Sequence, residues 1–267
     1  MKKTEKLKLF LRHPIKIINC GLKLYEEELY FLKIKGTYNI EQLPTIDICD
    51  LFPDFSESLN NYTFLEGTSL VTDIMLLKLL ARSFDNCAYL EIGSWRGESI
   101  SNVYEVTKDC TSITLSEEEM KRMRMNDDFI KVHGIFSKNL ENLKTIKHNS
   151  LTYDFSRLDK KFDLIFIDGD HSYEGVLIDT INTFKLRKDK NSIVVWHDYG
   201  SSTEKIRHSV LAGILNGIPK ENHKNLYHVS NTLCAVYIEN KEFGTCFTKF
   251  PTMPNKYFFI KLATIKM

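Results

Sequence analysis

Acidic residues and histidines cluster at two places in the sequence, each directly after a short apolar run. The first cluster is DGDH at residues 168–171, after FDLIFI, and the second is HD at residues 197–198, after SIVVW. Carboxylates and imidazoles act as general acids and bases and as ligands of divalent cations. A single aspartate at a strand end is equally typical of a turn or a helix cap. Two such clusters that meet at one place favour a catalytic or metal site.

A turn with two glycines precedes both clusters. EIGSWRGES at residues 91–99 places Gly93 and Gly97 just after the apolar run AYL. Glycine lets a backbone approach a ligand closely, and the helix after such a turn presents free N–H groups. Packing alone explains many such glycines, so the turn by itself leaves both interpretations open. Trp95 stands where a nicotinamide-binding Gly-x-Gly-x-x-Gly has its second glycine, which disfavours a dehydrogenase.

The elements that position these residues alternate between short apolar runs and amphipathic stretches. We predict strands at CAYLEIG, TSITLS, TIKHNS, FDLIFID and SIVVWHD, and helices at ISNVYEVTK and VLIDTINTFKL. This alternation is typical of a doubly wound, Rossmann-like α/β fold with a mostly parallel sheet. NLYHVSNTLCAVYIEN predicts two antiparallel strands at one edge, and YFFIKLATIKM a terminal strand. Adjacent parallel strands end at one crevice, which would bring the two clusters together.

The first part of the chain, residues 1–85, is predicted to be an extension to the α/β domain at residues 86–267. Leu7, Phe10, Leu11, Ile15 and Ile18 approximate one face of a basic helix that Pro14 would kink. This pattern fits an ordinary solvated helix or a weak contact of residues 1–25 with a membrane surface. A loop-rich lead-in at residues 37–67, of a kind that often covers a site, and a helix at residues 69–84 follow.

Composition restricts the partners and the compartment. Lys plus Arg number 36 against 35 Asp plus Glu, and this balance argues against a nucleic-acid partner. No apolar run reaches the roughly 20 residues that span a bilayer. Six scattered cysteines without a Cys-x-x-Cys pair are typical of reduced cytosolic thiols. We therefore expect a cytoplasmic protein, peripheral at a membrane if residues 1–25 bind one. The charged segment 117–136 predicts a mobile lid or a contact in a homo-oligomer.

EIGSWRGES, FDLIFIDGDHSYEGV and IVVWHDY, in this order and at these separations, resemble class I S-adenosylmethionine-dependent methyltransferases. The resemblance covers about residues 86–240 and is greatest to the metal-dependent O-methyltransferases of macrolide and aminocoumarin antibiotic biosynthesis. It implies S-adenosylmethionine as cofactor and a sugar or another small hydroxylated molecule as acceptor. Glu117, just past the second strand, is the candidate for the ribose hydroxyls. The cofactor residues that the resemblance implies are Glu91, Gly93, Ser94, Trp95, Gly97, Glu117, Asn149, Ser150, Asp154 and Asp168.

The resemblance also implies roles for the two clusters. Asp168 and Asp198 would ligate Mg²⁺ or another divalent cation, with His197 beside them in place of an aspartate. Imidazole is a better ligand for the later transition metals than for magnesium, so the sequence leaves the identity of the metal undecided. Asp170 or His171 would remove the acceptor's proton. Two other interpretations remain: a metal-dependent hydrolase that uses the same cluster, and a non-catalytic binding protein on the same fold.

Overall fold

The protein is described by a computed structural model that covers Glu5 and residues 10–266. Its helices are α1 (Pro14–Tyr38), α2 (Ile48–Leu51), α3 (Val71–Arg82), α4 (Glu98–Tyr104), α5 (Glu117–Arg122), α6 (Asp127–Val132), α7 (Tyr173–Phe184) and α8 (His208–Gly217). Its strands are β1 (Thr45–Ile46), β2 (Tyr89–Ile92), β3 (Cys110–Thr114), β4 (Lys144–Lys147), β5 (Leu164–Ile167), β6 (Ile193–Trp196), β7 (Gly200–Ser202), β8 (Lys205–Ile206), β9 (Leu226–Val229), β10 (Ala235–Tyr237) and β11 (Thr245–Cys246).

One mixed sheet organises the described residues, with its strands in the order β11-β1-β9-β10-β6-β5-β2-β3-β4. The five strands from β6 to β4 run parallel, whereas β10 runs antiparallel to β6 and β9. The predicted doubly wound, mostly parallel sheet is therefore confirmed, and so is the antiparallel pair from residues 225–240. β10 lies inside the sheet rather than at its edge, because β9, β1 and β11 continue beyond it.

Helices on both faces explain why β5 and β6 are continuously apolar. Every residue of these two strands is buried. Ile165 and Val194 pack with α7 and α8 on one face, and Phe166 and Val195 pack with α3 and α4 on the other. Each such side chain stabilises the fold by about 1.5–3 kcal/mol through burial. In a strand of alternating polarity, half of the side chains would be polar and would gain no such stabilisation. A strand that is covered by helices on both faces therefore needs a fully apolar sequence.

The N-terminal extension contributes both helices and a strand. Residues 10–12 are helical, the helix is interrupted at His13, and α1 begins at Pro14, where a proline is tolerated, so the interruption lies next to the proline as predicted. Leu7, from the predicted apolar face, lies outside the described residues. The lead-in supplies β1, which joins the sheet between β9 and β11. The helix predicted at residues 69–84 is confirmed as α3. No helix in the described part of the chain is long and apolar enough to cross a membrane.

The strand predicted from YFFIKLATIKM is not formed by its described residues, 257–266. Phe258 packs near Phe55, with ring centroids 6.4 Å apart, while Tyr257 and Phe259 on either side of it are exposed. β-Propensity alone is insufficient here, because a strand also needs a partner edge. Residues 257–266 pair with no strand of the sheet, which ends on this side at β11.

Candidate active site

Two aspartates and a histidine meet where β5 and β6 end. The Asp168 N–H donates to the carbonyl of Ile92, and the His197 N–H donates to the carbonyl of Ile167, so neighbouring strand ends lie side by side. Ligand atoms of Asp168, His197 and Asp198 all lie within 4.8 Å of one another. The two clusters that the sequence predicted therefore lie at one edge of the sheet.

A cavity of about 760 Å³ opens at this edge. It extends from the glycine turn after β2 to the ends of β5 and β6, and most of the predicted site residues line it. These lining residues are Gly93, Ser94, Trp95, Gly97, Asn149, Ser150, Asp168, Asp170, His171, His197 and Asp198.

His197 is held among three carboxylates. Its Nδ1 lies 3.1 Å from Asp168 Oδ1 and 3.3 Å from Asp198 Oδ2, and its Nε2 lies 3.1 Å from Asp73 Oδ2. Nδ1 is buried and makes no well-aligned hydrogen bond within the described residues. Burial lowers the pKa of His197, but the three carboxylates outweigh burial and raise that pKa well above its ordinary value. These contacts therefore favour the protonated form of the ring.

Asp73 is a site residue that the sequence analysis missed. It is fully buried in the first turn of α3 and also accepts the N–H groups of Leu70 and Leu233, each at 2.8 Å. Its only sequence signal is an acidic residue at a helix start, which is typical of capping. Its contact with His197 depends on how α3 packs beside the end of β6.

Asp198 connects His197 to two further basic groups. His171 Nδ1 lies 3.0 Å from Asp198 Oδ2, and Arg207 Nη2 lies 3.2 Å from Asp198 Oδ1. Burial would raise the pKa of Asp198, but His197, His171 and Arg207 together lower it to about 2. Asp198 is therefore ionised and can orient the His171 ring. The sequence analysis missed Arg207, which lies in no motif.

Asp170, the other predicted base, is engaged in the start of α7. Its carboxylate accepts the N–H of Ser172 at 2.9 Å and the hydroxyl of Ser172 at 3.0 Å. Ser172 in turn caps α7 by accepting the N–H of Gly175 at 3.1 Å. Asp170 lines the cavity, but both of its oxygens serve this turn. Of the two predicted bases, His171 is the one held by a carboxylate in the way that orients a general base.

The two glycines of the turn after β2 have a structural reason that the sequence did not show. Gly93 and Gly97 have φ values of +91° and +87°, which strain any other residue. A Cβ at Gly93 would lie 2.1 Å from the Asp168 carbonyl oxygen, and one at Gly97 would lie 2.8 Å from Ser137 Cβ. We expected glycine to admit a ligand; here it first lets the turn pack against two neighbouring loops.

Aromatic and apolar side chains form one wall of the cavity. Trp95 stacks on Phe129 at a centroid distance of 4.7 Å, and the Arg96 guanidinium lies 4.0 Å from the Trp95 ring centre. The indole N–H of Trp95 is buried without a hydrogen-bond partner in the described part of the chain. Phe129 belongs to the charged segment 117–136, which forms α5 and α6. This segment lines the cavity with Met120, Met123, Met125, Phe129 and His133.

The lead-in borders the same cavity through residues 67–69. The Arg96 guanidinium donates to the Glu66 carbonyl and pairs with Glu98 at 3.2 Å. The Thr68 hydroxyl donates to the Glu98 carboxylate at 3.1 Å. These contacts hold the extension against the glycine turn, as expected for a segment that covers a site.

Glu91 does not line the cavity. It is completely buried in β2, where its carboxylate accepts the hydroxyl groups of Tyr89 at 2.7 Å and Ser99 at 2.9 Å. Burial raises the pKa of Glu91 to about 7. Glu91 therefore stabilises the glycine turn through its hydrogen bond with Ser99, and its position disfavours direct contact with a ligand.

Glu117 and Asp154 also lie outside the cavity lining. Glu117 is exposed and pairs with Lys121 one helical turn later. Asp154 is exposed and caps a short 3₁₀ helix. Glu119, two residues after the ribose candidate, instead joins the loops after β3 and β4, because it accepts the N–H of Asn149 at 3.0 Å. Among the described residues, no acidic side chain of α5 lines the cavity.

The residues Asp168, His197 and Asp198 fit a divalent cation. Two carboxylates and one imidazole lie within reach of a common ion, and the buried Nδ1 has no well-aligned partner of its own. Asp73 on the far side of the ring matches the arrangement in which a carboxylate fixes a metal-bound histidine. Because imidazole is one of the ligands, the set favours a transition metal over magnesium.

Residues 90–199 match a protein family described as a methyltransferase domain. These residues therefore carry a methyltransferase domain, and they lie on the mostly parallel α/β sheet expected of class I. The matched segment runs from β2 to Tyr199, so it contains the glycine turn and both acidic clusters of the site. Asp73 and Arg207 of the methyltransferase site lie outside it.

Similar proteins are distant from this methyltransferase. An uncharacterized protein of Acanthamoeba polyphaga mimivirus is 29% identical over 134 residues, which cover 46% of this chain and 58% of that protein. An O-methyltransferase from Bacillus cereus in complex with SAH is 14% identical, with a TM-score of 0.44 over 66% of this chain and 84% of that one. An amino pentose methyltransferase from Micromonospora echinaspora is 10% identical, with a TM-score of 0.37 over 52% and 58%. None of these likenesses identifies an acceptor.

Proposed function

We propose that this protein transfers the methyl group of S-adenosylmethionine to a hydroxyl oxygen of a sugar or another small polyol. The observation that carries the proposal is that one cavity joins the glycine turn of the methyltransferase domain to the cluster Asp168, His197 and Asp198. The first half offers a place for the cofactor, and the second offers groups that activate an acceptor.

The part of the cavity beside the glycine turn has both polar and apolar groups that can bind S-adenosylmethionine. The unpartnered indole N–H of Trp95 is a buried donor that an acceptor atom of the ligand can satisfy. The methionine and phenylalanine side chains of the segment 117–136 provide an apolar wall for the adenine ring. Asn149 and Ser150 line the cavity after β4 and supply polar groups beside that wall.

The acceptor half supplies a general base. Methyl transfer from a sulfonium is an in-line displacement with a good leaving group, so the enzyme must position and deprotonate the acceptor. Asp198 holds His171 through Nδ1 at 3.0 Å, which leaves Nε2 to take the proton of the hydroxyl. His197, His171 and Arg207 together keep Asp198 ionised, so that it can hold the His171 ring.

A divalent cation at Asp168, His197 and Asp198 belongs to the same proposal. When bound, such an ion lowers the pKa of a hydroxyl group next to it. Asp73 would hold His197 with Nδ1 directed at the ion, and Asp168 and Asp198 would offset its charge.

Calorimetric titration with S-adenosylmethionine tests the proposal first, because the hydrolase alternative predicts no binding. Release of S-adenosylhomocysteine with a panel of nucleotide sugars and polyols tests turnover. We expect chelation to abolish turnover and to leave cofactor binding nearly unchanged. Absence of cofactor binding by the folded protein would refute methyl transfer. Full turnover after exhaustive chelation, with metal analysis confirming removal, would refute the cation.

A further inference from the structure

One face of α1 carries an unbroken row of exposed apolar side chains. They recur at alternating intervals of three and four residues, the spacing of positions a and d in a heptad repeat. The exposed fractions of these side chains range from 47% to 73%, so nothing in the described chain covers them. The row, called the a/d row below, consists of Ile15, Ile18, Leu22, Tyr25, Leu29 and Leu32.

The other face of α1 packs against the methyltransferase domain. Ile34 is buried, and the Tyr30 ring lies 5.1 Å from the Tyr173 ring. The Glu27 carboxylate accepts the N–H of His208, the first residue of α8, at 2.6 Å. α1 is therefore fixed to the domain from Glu27 onward, and the a/d row remains on the outer side.

The pattern fits another helix better than a lipid surface. A strict a/d row is the narrow seam of a coiled coil, whereas an interfacial membrane helix presents a broad apolar face with basic residues beside it. The positions beside the row carry both signs of charge, Glu26 and Glu28 as well as Lys33 and Lys35, and so lack the uniformly basic border that favours an anionic membrane. With 25 residues, α1 is about 37 Å long, enough for three heptads.

We propose that two copies of this chain pair in parallel through the a/d rows of α1. In this register Glu28, at position g, lies opposite Lys33, at position e, of the second copy, and the reciprocal pair repeats this arrangement. Within its own chain the Lys33 ammonium lies 5.4 Å from the centre of the Tyr173 ring, so the pairing would draw it from that ring to the carboxylate. Two pairs of opposite charge therefore flank the apolar seam. The pairing places both domains on the outer faces of the helix pair, and it is independent of methyl transfer.

Light scattering of the full-length protein after size exclusion tests the pairing. The wild type should have the mass of a dimer, and the double variant Leu22→Glu with Leu29→Glu should shift to the monomer. Leu24→Glu is the matched control, because Leu24 is 72% exposed on the same helix but lies off the row. A monomeric wild type, or a dimer that survives the double variant, would overturn the proposal.

Disulfide formation tests the direction of the pair. Leu32→Cys should cross-link two copies under mild oxidation in a background in which the exposed Cys20, Cys49 and Cys246 are changed to serine, because parallel position d residues face each other. An antiparallel pair centred on the a/d row would place these cysteines about 26 Å apart along the helix axis. Leu24→Cys in the same background is the control and should not cross-link. A Leu32→Cys dimer that forms no disulfide would overturn the parallel register.

Binding to vesicles separates the lipid alternative. We expect phosphatidylglycerol and phosphatidylcholine vesicles to leave the dimer in solution. The pairing would be overturned if the wild type is a monomer that binds these vesicles, and if the double variant loses this binding while Leu24→Glu keeps it. The a/d row would then be a membrane-binding surface.

Discussion

His197 Nε2 lies 3.1 Å from Asp73 Oδ2, although 124 positions of sequence separate the two residues. Asp73 is fully buried and also accepts backbone N–H groups on either side, so it cannot move without breaking those contacts. A carboxylate at Nε2 places a proton on that nitrogen and directs Nδ1 towards Asp168 and Asp198. The extension of the chain therefore sets the orientation of a histidine in the methyltransferase domain.

Asp73→Asn should weaken binding of a transition metal by about 10- to 100-fold, because an amide holds the His197 ring less firmly than a carboxylate. Cofactor binding should be nearly unchanged. Calorimetric titration with Zn²⁺ and with S-adenosylmethionine measures both affinities. Asp163→Asn is the control, since Asp163 is a mostly buried carboxylate at the other end of β5. Equal losses in the two variants would show a general effect of folding and contradict the role of Asp73.

His171→Ala should lower kcat by about 100-fold or more, because it removes the base that Asp198 orients. Metal affinity should not change, and excess cation should not restore the rate. Asp170→Asn should have a much smaller effect, because asparagine can also cap the turn to Ser172. Single-turnover kinetics with saturating cofactor measures the step. The opposite order of effects would make Asp170 the base.

Glu91→Gln should flatten the dependence of stability on pH. Burial raises the pKa of Glu91 to about 7, above the value of about 4.3 for an exposed glutamate. Between these values the folded protein holds a proton that the unfolded chain has lost. The free energy of unfolding contributed by Glu91 is therefore complete below about pH 4 and falls as the pH rises towards 7, by up to about 1.4 kcal/mol per pH unit.

Urea unfolding at several pH values between about 5 and 8 measures this effect. Glutamine removes the charge, and its oxygen can accept one of the Tyr89 and Ser99 hydroxyls while its NH₂ group donates to the other. The variant should therefore gain stability relative to the wild type as the pH rises. Parallel curves for the two proteins would show that Glu91 keeps an ordinary pKa.

Gly93→Ala should reduce the melting temperature sharply or prevent folding, because its Cβ would collide with the Asp168 carbonyl at a φ of +91°. Gly36→Ala is the control: a Cβ there meets no atom within 4 Å, and alanine favours helix by about 1 kcal/mol or less. Thermal unfolding followed by circular dichroism compares the variants. If the Gly93→Ala protein has wild-type stability, packing does not require this glycine. Close approach of a ligand to the backbone would then be the better explanation for it.

The sequence by itself determined the α/β fold, and most of the site residues predicted from it line the cavity. β5 and β6 were predictable because a fully apolar run is a local pattern, and a parallel sheet fixes where such strands end. Asp168 and His197 follow those ends directly, so their meeting required only the rule that adjacent parallel strands share an edge.

Only the tertiary structure decided which distant groups complete the site. Asp73 and Arg207 come from segments whose local patterns indicate a helix cap and a loop, and their contacts depend on the packing of whole helices against the sheet. The same packing buries the side chain of Glu91 in the core and leaves that of Glu117 exposed at the surface. The spacing of apolar residues predicts which face of a helix or strand is buried. It does not predict which residues that face contacts, because those residues come from segments far apart in the chain.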